Sequence, residues 1–167
     1  MQYIEGRSLA DLLKAERPLP VERAVALFRQ ICAGLAAAHE KGVLHRDLKP
    51  QNVMVDGEDR AYLADFGLAT SEAVPTMTRT GAMLGTPHYM SPEQVKGQDV
   101  DARSDVFSLG VVLYEMLAGA LPYGGGTLFE VMIRRTRAPP RPVREANPEV
   151  PAHLQRMLDR CLAADPA

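Results

Sequence analysis

Several things are scarce in this 167-residue sequence, and each scarcity removes a class of function. There is no basic excess: 19 Lys and Arg against 21 Asp and Glu leave a formal net charge of -2. That excludes the cationic footprint of a nucleic-acid-binding domain. Arginine clusters only locally, at Arg134, Arg135, Arg137, Arg141 and Arg144. The cluster reads as a solvated helix end and loop rather than a binding patch. Only two cysteines occur, Cys32 and Cys161, each inside an apolar helical pattern. They read as buried free thiols, and nothing calls for an oxidising compartment. No apolar run approaches the roughly 18 residues that a membrane span needs. The N-terminal MQYIEGRSLADLL lacks the basic-then-apolar layout of a signal peptide.

What is present is an ordinary globular composition, 46% apolar and 24% charged. A chain of this length buries about 70% of its unfolded surface, enough for one core. Residues 1–7 read as an extended segment ending at Gly6. Ser8, with Asp11 three residues on, predicts an N-cap for a short helix through about Glu16. Pro20 opens a long helix whose apolar stripe runs through Val25, Phe28, Ile31, Cys32 and Leu35, stopped at Gly42. Residues 43–52 are loop-like. Val53–Val55 and 61–64 read as two short strands joined across Asp56-Gly57, a hairpin signal. Residues 68–90 show no period. Ser91-Pro92-Glu93 starts a short helix. Residues 101–118 are apolar on several faces, so they predict a helix in the middle of the core. Two more helical patterns lie near 126–136 and 151–163, separated by a Pro- and Arg-rich connection. The class is α+β, mostly helical with one small hairpin.

The chemistry lies between the long helix and the hairpin. His45-Arg46-Asp47-Leu48-Lys49-Pro50-Gln51-Asn52 fits H-R-D-L-x-x-x-N at every fixed position. Asp65-Phe66-Gly67 follows the second strand, and Ser91-Pro92-Glu93 is a variant of A-P-E. One such tripeptide could arise by chance; three in order, each in its proper local context, are specific. With them the chain closely resembles the eukaryotic-like Ser/Thr protein kinases. The GTPHYMSPEQ segment looks most like their bacterial membrane-receptor branch.

The resemblance implies an ATP-dependent phosphorylation of Ser/Thr hydroxyls on proteins. Asp47 would accept the substrate hydroxyl proton. Asn52 and Asp65 would hold Mg²⁺, with Mn²⁺ as a substitute, since both offer hard oxygens. Lys49, two residues after Asp47, would meet the γ-phosphate, and a Lys there marks Ser/Thr specificity. Thr86 would bond Asp47 and Lys49. Gln2 and Ile4 would offer hinge backbone to adenine, with Met54 beneath the ring. His45 and Phe66, with Gly67 beside it, are read as packing residues, and Asp105 as a tether for the catalytic-loop backbone. Arg46 needs an anion, which a phosphorylated loop threonine would supply. Of Thr70, Ser71, Thr76, Thr78, Thr80 and Thr86, the sites Thr78 and Thr80 resemble those that bacterial relatives autophosphorylate. Such autophosphorylation in trans implies a kinase–kinase contact. The resemblance further implies a cytoplasmic location, with any inner-membrane segment of a parent protein outside this chain.

The departures matter as much. No G-x-G-x-x-G loop and no V-A-I-K strand lysine occur. Gly124-Gly125-Gly126 lacks the spacing and reads as a linker. Lys14, the first lysine, follows the hinge-like segment and cannot replace the strand lysine. The expectation is therefore a partial catalytic domain: hinge 1–7, C-lobe 8–167, with the N-lobe absent and the chain itself inactive. The arginine that pairs with the A-P-E glutamate in the family would follow Cys161-Leu162-Ala163-Ala164-Asp165-Pro166, so Glu93 is expected to lack that ion pair. Two other readings compete: a non-catalytic C-lobe interaction module, and a small-molecule kinase of the aminoglycoside or choline type. The complete catalytic set argues against the first. The G-T-P-x-Y…S-P-E segment argues against the second.

Overall fold

A computed structural model describes residues 5–66 and 87–164 of the chain. Strand β1 (Gly6–Ser8) leads into α1 (Leu9–Ala15), and α2 spans Val21–His39. After a loop and a single 3-10 turn at Pro50–Asn52 come β2 (Val53–Asp56) and β3 (Ala61–Leu63). A 3-10 turn at Pro87–Tyr89 precedes α3 (Pro92–Lys96) and α4 (Ala102–Ala118). Then follow α5 (Leu128–Arg137), α6 (Val143–Ala146) and α7 (Ala152–Cys161).

Four of the described helices, α1, α3, α4 and α5, start at a capping side chain. The Ser8 hydroxyl accepts from the Asp11 amide, as its spacing predicts. Ser91 and Thr127 form full capping boxes with Gln94 and Glu130. Asp101 caps α4, and Gly119 ends it in the left-handed conformation.

Helix α4 is the axis of the core. Twelve of its 17 residues are buried, including Val111, Val112, Leu113, Met116 and Leu117. Each such side chain contributes roughly 1.5–3 kcal/mol on removal from water. The core continues through Leu27, Ile31 and Leu35 of α2 on one side and Leu154 and Leu158 of α7 on another. Gly110 lets α7 come close: a Cβ there would stand 2.8 Å from the Cβ of Cys161.

The expected two-stranded hairpin is in fact a three-stranded antiparallel sheet of order β1-β2-β3. Gly6, Arg7 and Ser8 pair with Asp56, Val55 and Met54 along the open edge of β2. A side chain at residue 6 would collide with the Val55 carbonyl, so the close approach requires glycine. Helix α6 lies within the Pro- and Arg-rich connection, and its first residue, Val143, is fully buried. The two cysteines are free but half-buried rather than buried, and burial raises both thiols above their usual range. Among the described residues no helix is long and apolar enough to cross a membrane.

Candidate active site

The loop between α2 and β2 is suspended from α4. Asp105, in the first turn of that helix and 1% exposed, accepts the His45 amide on Oδ2 and the Arg46 amide on Oδ1, each at 2.8 Å. His39 Nε2, from the last turn of α2, reaches Oδ2 at 2.7 Å. The helix that precedes the loop and the loop itself thus converge on one carboxylate. Arg46 is held with φ at +65°, a conformation that costs a non-glycine residue about 1–3 kcal/mol and persists only where the surroundings enforce it.

The strained turn presents Asp47. Lys49 Nζ lies 2.6 Å from Asp47 Oδ2. Asn52, on the 3-10 turn, donates its amide nitrogen to the Asp47 carbonyl at 2.8 Å and to Oδ2 at 3.3 Å. Those donations commit the amide nitrogen of the buried Asn52 side chain to Asp47 and leave its oxygen as the acceptor end. The Asn52 carbonyl in turn accepts the Ala64 amide at 2.9 Å, which brings the Asp65 backbone alongside the loop. Asp65 is exposed and also has a positive φ of +59°. Strain of this kind at two non-glycine residues in one small region is typical of functional sites.

His45 packs against Phe66, with ring centroids 4.8 Å apart. Burial pulls the imidazole below its ordinary range, partly offset by Asp105, so the ring is neutral near pH 7. Its Nε2 faces the Ala64 carbonyl at 3.0 Å, which selects the tautomer with the proton on that nitrogen. Nδ1 is buried with no hydrogen-bond partner. His45 is thus placed for packing and not for proton transfer.

Asn52 and Asp65 suit a hard cation. Both present oxygen, and no cluster of three or more His, Cys, Asp or Glu side chains exists among the described residues. Two protein oxygens, completed by phosphate and water, match the way Mg²⁺ is bound in phosphoryl-transfer sites. Met54 sits on the middle strand, half-buried, on the face opposite Val53 and Val55. Gln2, Ile4, Gly67, Thr78, Thr80 and Thr86 lie outside the described residues. Glu93, expected without its ion pair, takes a hydrogen bond from the Ser104 hydroxyl.

A family profile for the protein kinase domain matches residues 1–167. The chain belongs to the protein kinase domain family. It is 42% identical over 168 residues to serine/threonine-protein kinase PknD of Mycobacterium tuberculosis. It is 37% identical over 167 residues to PknB of Mycobacterium leprae, and 34% identical over 166 to PrkC of Bacillus subtilis. At least 99% of the chain is covered in each case, but only 25%, 27% and 26% of the respective relatives. The kinase chain thus spans about a quarter of the length of these relatives.

Sequence reasoning missed the supports behind the kinase motifs. His39, on α2, carries no motif of its own, yet it reaches Asp105. Gln94 donates to the Arg46 carbonyl at 2.7 Å, joining α3 to the catalytic loop. Tyr89 donates its hydroxyl to Glu115 at 2.6 Å, and burial raises both groups. Arg135, assigned to a solvated cluster, is 1% exposed. A signal for it existed: it lies four residues after buried Val131, on the inner face of α5.

The Glu115 shift makes a prediction. A carboxyl whose folded pKa is raised stabilises the fold below its ordinary value near 4.5, and that contribution is lost as pH rises towards the folded value. A Glu115→Gln variant keeps an acceptor for Tyr89 and removes the charge. Its stability relative to the native chain is expected to increase between pH 4 and pH 8 in urea titrations. A pH-independent difference would show that Glu115 titrates normally.

Proposed function

We propose that this chain is the catalytic-loop portion of a kinase that transfers the γ-phosphoryl of ATP to Ser/Thr hydroxyls of proteins. The observation that carries the reading is the Asp47 cluster: a half-exposed carboxylate contacted by both Lys49 and Asn52, on a loop hung from a buried aspartate. Phosphoryl transfer asks a protein chiefly for positioning and charge neutralisation, and this cluster offers both. Asp47 aligns the hydroxyl and takes its proton. Lys49 shifts from Asp47 to the γ-phosphate as a point charge. Asn52 and Asp65 hold the cation. Mg²⁺, when bound, neutralises charge on the phosphates. Thr86 steadies Asp47 and Lys49, Met54 lies under the adenine, and the backbone at Gln2 and Ile4 meets its edge. Phosphate on Thr78 and Thr80 engages Arg46.

The chain as given contains neither a glycine-rich loop nor a strand lysine. On this reading transfer needs those parts as well, and the 167-residue chain by itself is expected to be catalytically silent. One experiment addresses these points together: purified full-length kinase and the 167-residue chain are each incubated with labelled ATP, Mg²⁺ and a panel of Ser/Thr peptides, aminoglycosides and choline. Label is expected on peptides, from the full-length protein only, with mass spectrometry finding phosphate on Thr78 and Thr80. Label on the small molecules, or turnover by the short chain that depends on Asp47, would overturn the reading. Unmodified Thr78 and Thr80 in active protein would remove the regulatory part alone.

A further inference from the structure

We propose that Arg135 is a positioning residue for the polypeptide substrate, acting by holding the main chain of residues 87–90 in place. The proposal rests on the phosphotransfer reading above and on the place of residues 87–90, which lead through Ser91 and Gln94 of α3 to the Arg46 carbonyl beside Asp47 and so form a wall where a peptide approaching Asp47 can lie.

Arg135 is the largest fully buried side chain in the core, yet it has no carboxylate partner among the described residues. Its guanidinium donates instead to carbonyls. Nη1 donates to Pro87 at 2.8 Å and also to Met90, and Nη2 donates to His88. The remaining carbonyl of the turn, that of Tyr89, accepts from the Ser108 hydroxyl of α4 at 2.8 Å. All four consecutive carbonyls therefore end on side chains from α4 and α5. The guanidinium also lies over the faces of Phe107 and Tyr123, 5.7 and 5.5 Å from their centroids. Nε alone is without a partner.

A buried cation without a counter-ion is costly, and an apolar residue of similar volume would fill this space with less penalty. What the guanidinium provides in exchange is geometry. Its rigid, planar fork reaches acceptors on three residues from two nitrogens in fixed directions, whereas lysine carries its three donors on a single nitrogen and an aliphatic chain has none. The two aromatic faces offset part of the lost hydration. Burial lowers its pKa to about 10, so the group remains charged at neutral pH and the donors are always present.

The pinned turn communicates directly with the catalytic loop. Residue 90 leads into Ser91, the cap of α3, and Gln94 of α3 donates to the Arg46 carbonyl next to Asp47. The distance between this turn and Asp47 is thus set at one end by Arg135 and at the other by Gln94. Loss of Arg135 lets the turn drift without touching Asp47, Lys49 or the cation ligands. It should weaken peptide binding and spare both nucleotide binding and the chemical step.

The test compares full-length wild-type kinase with Arg135→Met and Arg135→Lys, measuring peptide and ATP KM separately together with kcat. Arg135→Met is expected to raise peptide KM about tenfold or more, the loss of roughly one charge-assisted hydrogen bond's worth of positioning. ATP KM and kcat should change by less than about twofold, and Arg135→Lys should fall between. Amide exchange in residues 87–95 should quicken in both variants. Unchanged peptide KM, or peptide and ATP KM rising together as active protein is lost, would mean that Arg135 serves the core alone. If Arg135→Met does not fold, Arg135→Lys decides by the same criteria. Should the wild type label no peptide, the phosphotransfer reading has failed; amide exchange then still decides whether Arg135 holds the turn, and unaltered exchange rejects it.

Discussion

Replacing Asp47 by alanine in the full-length kinase is expected to lower kcat about 10³-fold, within the range typical of a positioned acid–base group. The site explains why the loss should fall on kcat. The Asp47 side chain is 47% exposed, open to a hydroxyl arriving from solvent, while Lys49 beside it is only 17% exposed. The carboxylate is not part of the core, so its removal should leave the fold intact. Nor is it one of the oxygens assigned to the cation, so nucleotide affinity should stay near that of the wild type. Asp47→Asn separates the two contributions that alanine removes together. The amide oxygen can still accept from Lys49 and align a hydroxyl, but an amide cannot take a proton. Single-turnover measurements should place the Asn variant within about tenfold of the alanine variant, because the proton acceptor is missing in both. An Asn variant retaining most of the wild-type rate would show that Asp47 only orients, and that another group or solvent removes the proton.

The catalytic motifs were legible because they are contiguous. Asp47, Lys49 and Asn52 are close in sequence, and a short loop must bring them close in space. Helix boundaries were legible where a capping side chain marks them, as Ser8, Ser91 and Asp101 do. Of the features that escaped, three show the physical reason most clearly. Gly6-Arg7-Ser8 has no alternating pattern, and its strand exists because β2 offers an open edge and residue 6 lacks a side chain that would strike Val55. Helix α6 is four residues long and has a single buried side chain, Val143, too little for a periodic signal. Arg135 was hidden by composition: five arginines within eleven positions suggest solvent, and only the i,i+4 relation to Val131 betrays the inner face. Its acceptors, Pro87, His88 and Met90, lie more than forty residues earlier in the chain. Partners that distant are set by tertiary packing, which local pattern does not encode.

Asp105 is where the fold and the catalytic loop depend on one side chain, and its loss should be the most damaging single change to stability. Its carboxylate lies near the N-terminus of α4, where the helix dipole favours negative charge. That field, two amide donors and His39 together compensate for burying it. Asp105→Ala would strand the fully buried His45 amide and the Arg46 amide without acceptors, each at about 1–3 kcal/mol. Some of that is returned because a buried charge disappears, so a net loss of about 3–4 kcal/mol is expected. For a chain of this size it corresponds to a fall of roughly 10 °C in Tm. Asp105→Asn should be nearly as harmful. An amide has one acceptor oxygen for the two backbone N–H groups, and its own NH2 would then face a donor. The strained φ of Arg46 is held by the same bond, so kcat should fall well below the melting range as the turn that presents Asp47 relaxes. Calorimetry combined with amide exchange at residues 45–47 separates the two effects. Exchange at those amides should accelerate more than in the helices. An Asn variant that melts within about 2 °C of the wild type, a shift worth less than about 1 kcal/mol here, and protects those amides equally would show that the loop is held by something other than Asp105.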